Sequence, residues 1–562
     1  MSPRARAHLA CVLALAAAVA VAVWPVPLDP GGTLAGHAYG DLADHYWGTW
    51  WFGRELLAGR WPDTTNVSHY PDALNLWYVD ALGALLVLPL RPLGQVWTWN
   101  LLVAGQLFAA SLAGYVAGYR WTRDHAASLV AGVAAGVSPY AMGLVHSGLS
   151  EFLFVFPVVL FVPAALDAVA GRGRAWLVAA AWMAVAGTAS PYYAIFCALF
   201  LLSAVPAPGW RDRLVAAVKV GALGGLGALP AALLSLRSLG GGGAVSAANA
   251  PGWTGHLPAT DLLTFFMPGP YYFPDTPAAG NPGVLHVNYL GWLALALSAW
   301  GAWRARGTAE APALGALLRA GGLYFAFAIG PRLAVAREIV SLGGVSVLLP
   351  LGFLSFPGSP IGMIHQPYRM VALLVPVLAL GAAAGTARLP RAIRPVIAAL
   401  LLLETLLVSP APWPLATRPA PTATSYVGID GPVLDWPPDA SELNRDYLMA
   451  ATVHGNPVPY GVNVFLPVSL REDPLVDGLL RALARVERRA RNRDVGFTGR
   501  LLFNPSTPTT TLADKGFKAI VVHKRSLNDR ELRRTQALLG AAFGAPVRDD
   551  TELAVWATVP PP

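Results

Sequence analysis

Charge is what this sequence has least of. Only 13% of its 562 residues are Asp, Glu, Lys or Arg, against roughly 25% in ordinary soluble domains. A soluble chain of this size needs far more polar surface to cover its core, which excludes a cytosolic enzyme and a disordered chain. Cysteine is nearly absent too. Cys11 and Cys197 both sit in apolar runs, so a disulfide-stapled secreted domain and a cysteine zinc site are excluded. What the chain does have is 55% hydrophobic residues and a mean hydropathy of +0.49, the composition of a polytopic membrane protein.

The net charge of +8 does not point to nucleic acid, because the positive residues come as short clusters between apolar spans. The run from about residue 8 to 23, preceded by Arg4 and Arg6, reads as an uncleaved first transmembrane helix; no small-residue cleavage site follows it. Further spans centre near residues 107, 134, 161, 182, 198, 225, 294, 328, 378 and 401, giving about eleven helices. With the N-terminus in the cytoplasm, the arginines at 4/6, 120/123, 172/174, 211/213, 304/306 and 388/391/394 all fall on one side, as the positive-inside rule asks. That topology needs Ala81–Leu90 to lie at the outer surface rather than to cross.

The domain organisation follows. Residues 1–409 form the transmembrane domain, with a long first outer loop at 26–95 and further outer segments near 238–284 and 332–366. Residues 410–421 are a Pro-rich linker, and 422–562 form an extracytoplasmic soluble α/β domain. In that tail, strands are expected at Gly431–Trp436, Ala519–His523 and Leu553–Thr558, and helices at Leu475–Arg489 and Asp529–Phe543. The cluster Arg488-Arg489-Ala490-Arg491 reads as a solvated helix face, with anionic lipid headgroups as the alternative partner. The sequon Asn66-Val67-Ser68 is a chance match.

Candidate chemistry concentrates on the outer side. From Leu28 to Leu90 the first loop holds seven acids (Asp29, Asp41, Asp44, Glu55, Asp63, Asp72, Asp80) and only Arg54 and Arg60 as cations. Asp41, Asp44 and His45 are spaced i, i+3, i+4, so one helical turn presents them together. Tyr46, Trp47, Trp50 and Trp51 follow. An acidic pair beside a Trp-rich surface suits a polar, sugar-like substrate; the bland alternative is an interfacial aromatic belt. Later in the loop comes His69-Tyr70-Pro71-Asp72. His146-Ser147-Gly148-Leu149-Ser150-Glu151 links the third and fourth spans on the same side, with Ser150 as a plain helix cap in the alternative reading. Ser190-Pro191-Tyr192-Tyr193 sits at another outer turn. His365-Gln366-Pro367-Tyr368-Arg369 enters the tenth span from outside. Arg369 runs against the charge bias; its planar, always-charged fork suits a phosphate, and a headgroup anchor is the alternative.

This arrangement resembles the GT-C superfamily of multi-pass membrane glycosyltransferases, in particular bacterial members that use polyprenyl-phosphate sugars. The residues that carry the resemblance are Gly40-Asp41 in a long first outer loop, His69-Tyr70-Pro71-Asp72 later in it, and the His-rich turn before the fourth helix. Pro367-Tyr368-Arg369 and a soluble outer tail add to it. So do the tail segments Val433-Leu434-Asp435-Trp436-Pro437 and His454-Gly455-Asn456-Pro457-Val458. The resemblance implies an enzyme of the bacterial cytoplasmic membrane. It would move a sugar from a polyprenyl-phosphate donor to an acceptor hydroxyl on a glycan, lipid or protein, outside the membrane and with inversion. Asp41, or Asp44 beside it, matches the family's first-loop acid and would take the acceptor's proton; Arg369 with His365 would face the departing phosphate. His45, His69, Asp72, His146, Glu151, Tyr192, Tyr193 and Tyr368 are the remaining substrate-binding candidates. Glu151 and His146 could bind sugar hydroxyls or a divalent metal ion, so metal dependence stays open. Two rival readings are a transporter or flippase for a lipid-linked saccharide, with Lys219 and Glu404 as its nearest intramembrane charges, and a non-catalytic cell-envelope assembly protein.

Overall fold

The computed structural model describes residues 1–76, 80–240, 259–268, 285–355, 359, 361, 364, 366–438, 443–461, 466–483 and 510–559. The chain divides into two units. One comprises Met1–His45, Tyr78–Leu236 and Ala250–Ala420, the other Tyr46–Trp77, Arg237–Asn249 and Pro421–Pro562.

The first unit is helical. Its elements are α1 (Pro3–Ala22), the short strand β1 (Thr33–Ala35), the start of α2 (Leu42–Leu57), α3 (Ala81–Val87), α4 (Gln95–Thr122), α5 (His125–Gly136), α6 (Pro139–Ser147) and α7 (Ser150–Leu153). They continue through α8 (Phe156–Val169), α9 (Ala175–Ala189), α10 (Pro191–Ala204), α11 (Trp210–Gly240), α12 (Trp292–Ala305), α13 (Ala311–Ala328), α14 (Pro350–Leu354), α15 (Val371–Thr386) and α16 (Arg394–Leu407). Each span centre expected from hydropathy falls on one of these helices. Six segments among the described residues are long and apolar enough to cross a membrane: Pro3–Ala22, Gln95–Thr122, His125–Ser147, Trp210–Arg237, Ala311–Ala328 and Pro367–Thr386.

Small residues let the central helices touch backbone to backbone. Gly114 and Gly118 on α4 meet α5, where a Cβ on Gly114 would stand 2.5 Å from the Ala131 carbonyl oxygen. On α15, a Cβ on Gly385 would stand 2.0 Å from the Leu297 carbonyl oxygen of α12. Small residues are what allow apolar helices to approach this closely. On α11, Val215, Val218, Leu226 and Leu233 are exposed, an apolar patch of the kind that marks a contact surface for a membrane or a partner.

Charges in this unit are mostly spent on structure. Asp167 pairs with Arg120 at 2.8 Å and Arg172 at 2.7 Å, and Arg394 pairs with Asp124, the N-cap of α5. Glu404 on α16 accepts from the amides of Trp292 (2.5 Å) and Leu293 (3.1 Å) and from the Tyr289 hydroxyl (2.6 Å), capping the start of α12. Lys219 is exposed on α11. Neither charge suggested for a transport path is therefore buried and unpaired. After α16 the chain adds β2 (Thr417–Pro419), antiparallel to β1.

The second unit holds a four-stranded sheet of β3 (Val433–Trp436), β4 (Ala519–His523), β5 (Arg548–Asp549) and β6 (Leu553–Ala557) in the order β5-β6-β4-β3. β3 and β4 are parallel; the other pairs are antiparallel. Its helices include α17 (Leu443–His454), α18 (Pro474–Ala482) and α19 (Asp529–Phe543), the last two packed on each other. α19 begins with a capping box in which Asn528 and Glu531 exchange bonds. All three expected strands are present. The helix expected over 475–489 begins at Pro474 and ends at Ala482, because Leu483 turns extended; residues 484–489, with Arg488 and Arg489, lie outside the described residues, as does Arg491.

Candidate functional site

Loop 36–45 is laid against the corner between α6 and α7 by main-chain bonds. The His37 amide donates to the His146 carbonyl at 2.8 Å, and the Asp41 amide donates to the Ser147 carbonyl at 2.7 Å. The corner turns on Gly148 (φ +74°), where a Cβ would lie 2.4 Å from the Leu42 Cα. Only glycine combines that left-handed backbone with so close an approach. Gly148→Ala is expected to lower stability by about 2–4 kcal/mol. Thermal unfolding of the full-length protein in detergent checks this, and an unchanged transition temperature would contradict the packing.

The helical turn expected around Asp41 begins one residue later. Asp41 stands just before α2, its carbonyl accepting from the amides of Asp44 and His45 at 3.1 Å each. Asp41 is partly exposed, whereas Asp44 and His45 are buried in the first turn of α2. His45 Nδ1 lies 3.3 Å from Glu151 Oε2 and 3.3 Å from the Ser150 hydroxyl. Glu151 Oε2 has no hydrogen-bond partner of good geometry among the described residues, so the His45 contact is an electrostatic one. Ser150 opens α7 without capping it; its hydroxyl serves His45 instead. His146 packs its ring on His37 at 4.9 Å between centroids, and burial lowers the His37 pKa.

Arg369 ends in an aromatic cage. Its guanidinium carbon lies 4.1 Å from the Phe152 ring centre, 5.7 Å from that of Tyr192 and 5.9 Å from that of Tyr368. Arg369 Nε is buried without a hydrogen-bond partner among the described residues. The π-faces flank a guanidinium that also interacts with the Tyr368 side chain. Glu151 interacts electrostatically with Arg369, Tyr192 and Tyr368, and Asp41 interacts with Tyr368. Asp41 and Glu151 thus both act on Tyr368, whose ring flanks Arg369, within one unit.

Residues 11–408 match a family described as a domain of unknown function (DUF6311). The chain belongs to that DUF6311 family. A search of curated proteins finds no match.

In this DUF6311 chain the remaining candidates separate by role. Tyr193 is fully buried and its hydroxyl donates to the Phe152 carbonyl, while the Tyr140 hydroxyl donates to the Arg369 carbonyl at 3.2 Å. Both brace the cage. His286 stacks on Tyr368 at 4.3 Å. His365 lies outside the described residues. No group of three or more His, Cys, Asp or Glu suited to a metal ion occurs among the described residues.

His69 and Asp72 belong to the second unit, whereas Asp41 belongs to the first. The Tyr70 amide donates to the Val458 carbonyl at 3.1 Å, the His69 amide to the Tyr460 carbonyl at 3.2 Å, and the Ser469 hydroxyl to Asp72 at 2.5 Å. Burial lowers the His69 pKa, with Asp72 acting against it. The candidates of the first loop thus fall in both units. The signal was weak: a pairing between residues nearly four hundred positions apart leaves no local pattern.

The second unit also unites its two singled-out segments. The Val433 amide donates to the Pro457 carbonyl at 2.9 Å. Asp435, fully buried on β3, accepts from the Tyr426 hydroxyl at 2.7 Å and lies 2.9 Å from His523 Nε2. His454 stacks on Tyr426 at 4.1 Å, and burial pushes its pKa down to about 4. Asp435→Ala leaves these partners unsatisfied, an expected cost of about 2–4 kcal/mol. Hydrogen exchange over Ala519–His523 in the full-length protein should rise by about thirty- to a thousandfold; unchanged protection would show that the cluster does not hold the sheet.

Proposed function

We propose that the chain is an integral-membrane glycosyltransferase of GT-C type. On this reading it moves a sugar from a polyprenyl-phosphate donor to an acceptor hydroxyl on the extracytoplasmic face of a bacterial cytoplasmic membrane. What supports the reading is that Asp41 and Glu151 both act on Tyr368, whose ring flanks Arg369, so that one unit holds a partly exposed carboxylate and a caged guanidinium. Such a pair has the charges that sugar transfer from a phosphate needs. A carboxylate takes the acceptor proton as the new glycosidic bond forms, and a fixed cation receives the charge that develops on the departing phosphate. A single displacement inverts the anomeric carbon. His45, Glu151 and Tyr192 are the groups for sugar hydroxyls.

Membrane residence is part of the proposal. Six membrane-length apolar helices and the apolar face of α11 support a membrane-spanning domain; eleven crossings, with the N-terminus inside and the tail outside, is the topology that the arginine clusters suggest. The lipid tail of the donor would stay in the bilayer while its phosphate reaches Arg369. The test is transfer itself: purified full-length protein in proteoliposomes, offered polyprenyl-phosphate sugars with labelled sugar, should release polyprenyl phosphate and label an envelope acceptor fraction. Donors left intact across the common hexose and pentose forms would overturn the reading.

A further inference from the structure

His37 and Tyr39, on the turn that leads into Asp41, take no part in the reaction proposed above. The backbone of that turn is fixed at both ends. Just before it, the Ala35 amide donates to the Asn100 side chain and the Trp99 indole donates to the Ala35 carbonyl, each at 3.0 Å. The Gly36 amide donates to the Ala416 carbonyl at 3.0 Å. The amides of His37 and Asp41 then bond the successive carbonyls of His146 and Ser147, and the Gly40 amide closes the turn on the His37 carbonyl at 3.1 Å. His37 and Asp41 are thereby held a single turn apart.

The side chains of the turn differ in kind. Tyr39, at its tip, is 41% exposed, and its ring centre lies 5.4 Å from that of His37. His37 is half-buried and also packs on His146. The Tyr39 amide donates to His37 Nδ1 at 3.2 Å. An Nδ1 that accepts carries no proton, so the neutral ring bears its proton on Nε2 and is a donor there. Five consecutive residues on a fixed backbone thus offer an aromatic ring, an N–H donor and a partly exposed carboxylate. A sugar ring matches that set, because its C–H face stacks on an aromatic ring while its hydroxyls bond donors and acceptors at the edge.

We infer that residues 37–41 form a saccharide subsite, which makes the acceptor of the proposed transfer a glycan. Tyr39 carries the face of a sugar ring, His37 Nε2 donates to one of its hydroxyls, and the Asp41 carboxylate accepts from another. Binding makes and breaks no covalent bond. The role as acceptor rests on the reading of Asp41 as the base; the saccharide class rests on the turn alone.

The test offers full-length protein in nanodiscs an array of short oligosaccharides built from common bacterial pyranoses and furanoses. The wild type should retain at least one of them, and the same oligosaccharide free in solution should compete. Tyr39→Ala and His37→Ala should each weaken that binding by about tenfold, the worth of one good contact. Tyr39→Phe keeps the ring and His37→Gln keeps a donor, so both should stay within about threefold of wild type. The main-chain bonds that seat the turn do not involve these side chains, and thermal unfolding of all four variants should stay near wild type. Retention of no sugar by the wild type, or equal binding in both alanine variants, would overturn the subsite. Saccharide binding that depends on Tyr39 and His37, in a protein that leaves polyprenyl-phosphate sugars intact, would sustain the subsite and overturn the transferase. Sugar transfer with the same acceptor KM in His37→Ala, Tyr39→Ala and wild type would do the reverse.

Discussion

Asp41→Asn is expected to lower sugar transfer by about two to four orders of magnitude, the span that a lost general base commonly costs. Asparagine keeps the shape of the side chain but cannot take a proton. The main-chain bonds that seat this residue, from its amide to Ser147 and from the Asp44 and His45 amides to its carbonyl, do not involve the carboxylate. Expression and thermal stability should therefore stay near wild type while turnover is lost. Asp44→Asn tests the neighbouring acid. Asp44 is buried where Asp41 is partly exposed, so its substitution should cost stability more than chemistry. Full transfer activity in both variants would remove the general-base role from this turn.

The second large effect is expected at Arg369. Arg369→Ala should weaken binding of a prenyl phosphodiester by about ten- to hundredfold, the worth of a charge-assisted hydrogen bond in a dry site. The Tyr140 bond is to the Arg369 carbonyl and survives the change. Arg369→Lys should recover only part of the affinity, since an ammonium lacks the planar fork and fits poorly over Phe152, whose ring lies 4.1 Å from the guanidinium carbon. Equal affinity in Arg369→Ala and wild type would leave Arg369 as a headgroup anchor.

The helices were legible because hydropathy acts locally. Runs such as the one centred near residue 378 announce α15 from composition alone. The tail strands were legible for a related reason: each is a short apolar run bounded by turn residues, and α19 carries its capping box in plain sequence. Site membership was less legible, because it depends on contacts across long separations. His69 and Asp72 share a loop with Asp41, yet the His69 amide donates to the Tyr460 carbonyl and the Asp72 carboxylate accepts from the Ser469 hydroxyl. Asp80 reads as one more loop acid, and it stands fully buried at the start of α3 with the Gly83 amide on its carboxylate. Tyr193 reads as an outer-turn tyrosine facing substrate, and its hydroxyl is spent on the Phe152 carbonyl. Glu404 reads as a charge close to a span end, and a helix start consumes it. In each case the residue type was visible and its partner was not.

The most direct measurement is a structure of the full-length protein in nanodiscs with a non-transferable donor, a polyprenyl phosphonate sugar. The expected result is the phosphonate within hydrogen-bonding distance of the Arg369 guanidinium and the anomeric carbon turned toward the Asp41 carboxylate, with room between them for one hydroxyl. An analogue seated away from both residues, or one whose sugar faces away from Asp41, would contradict sugar transfer at this site.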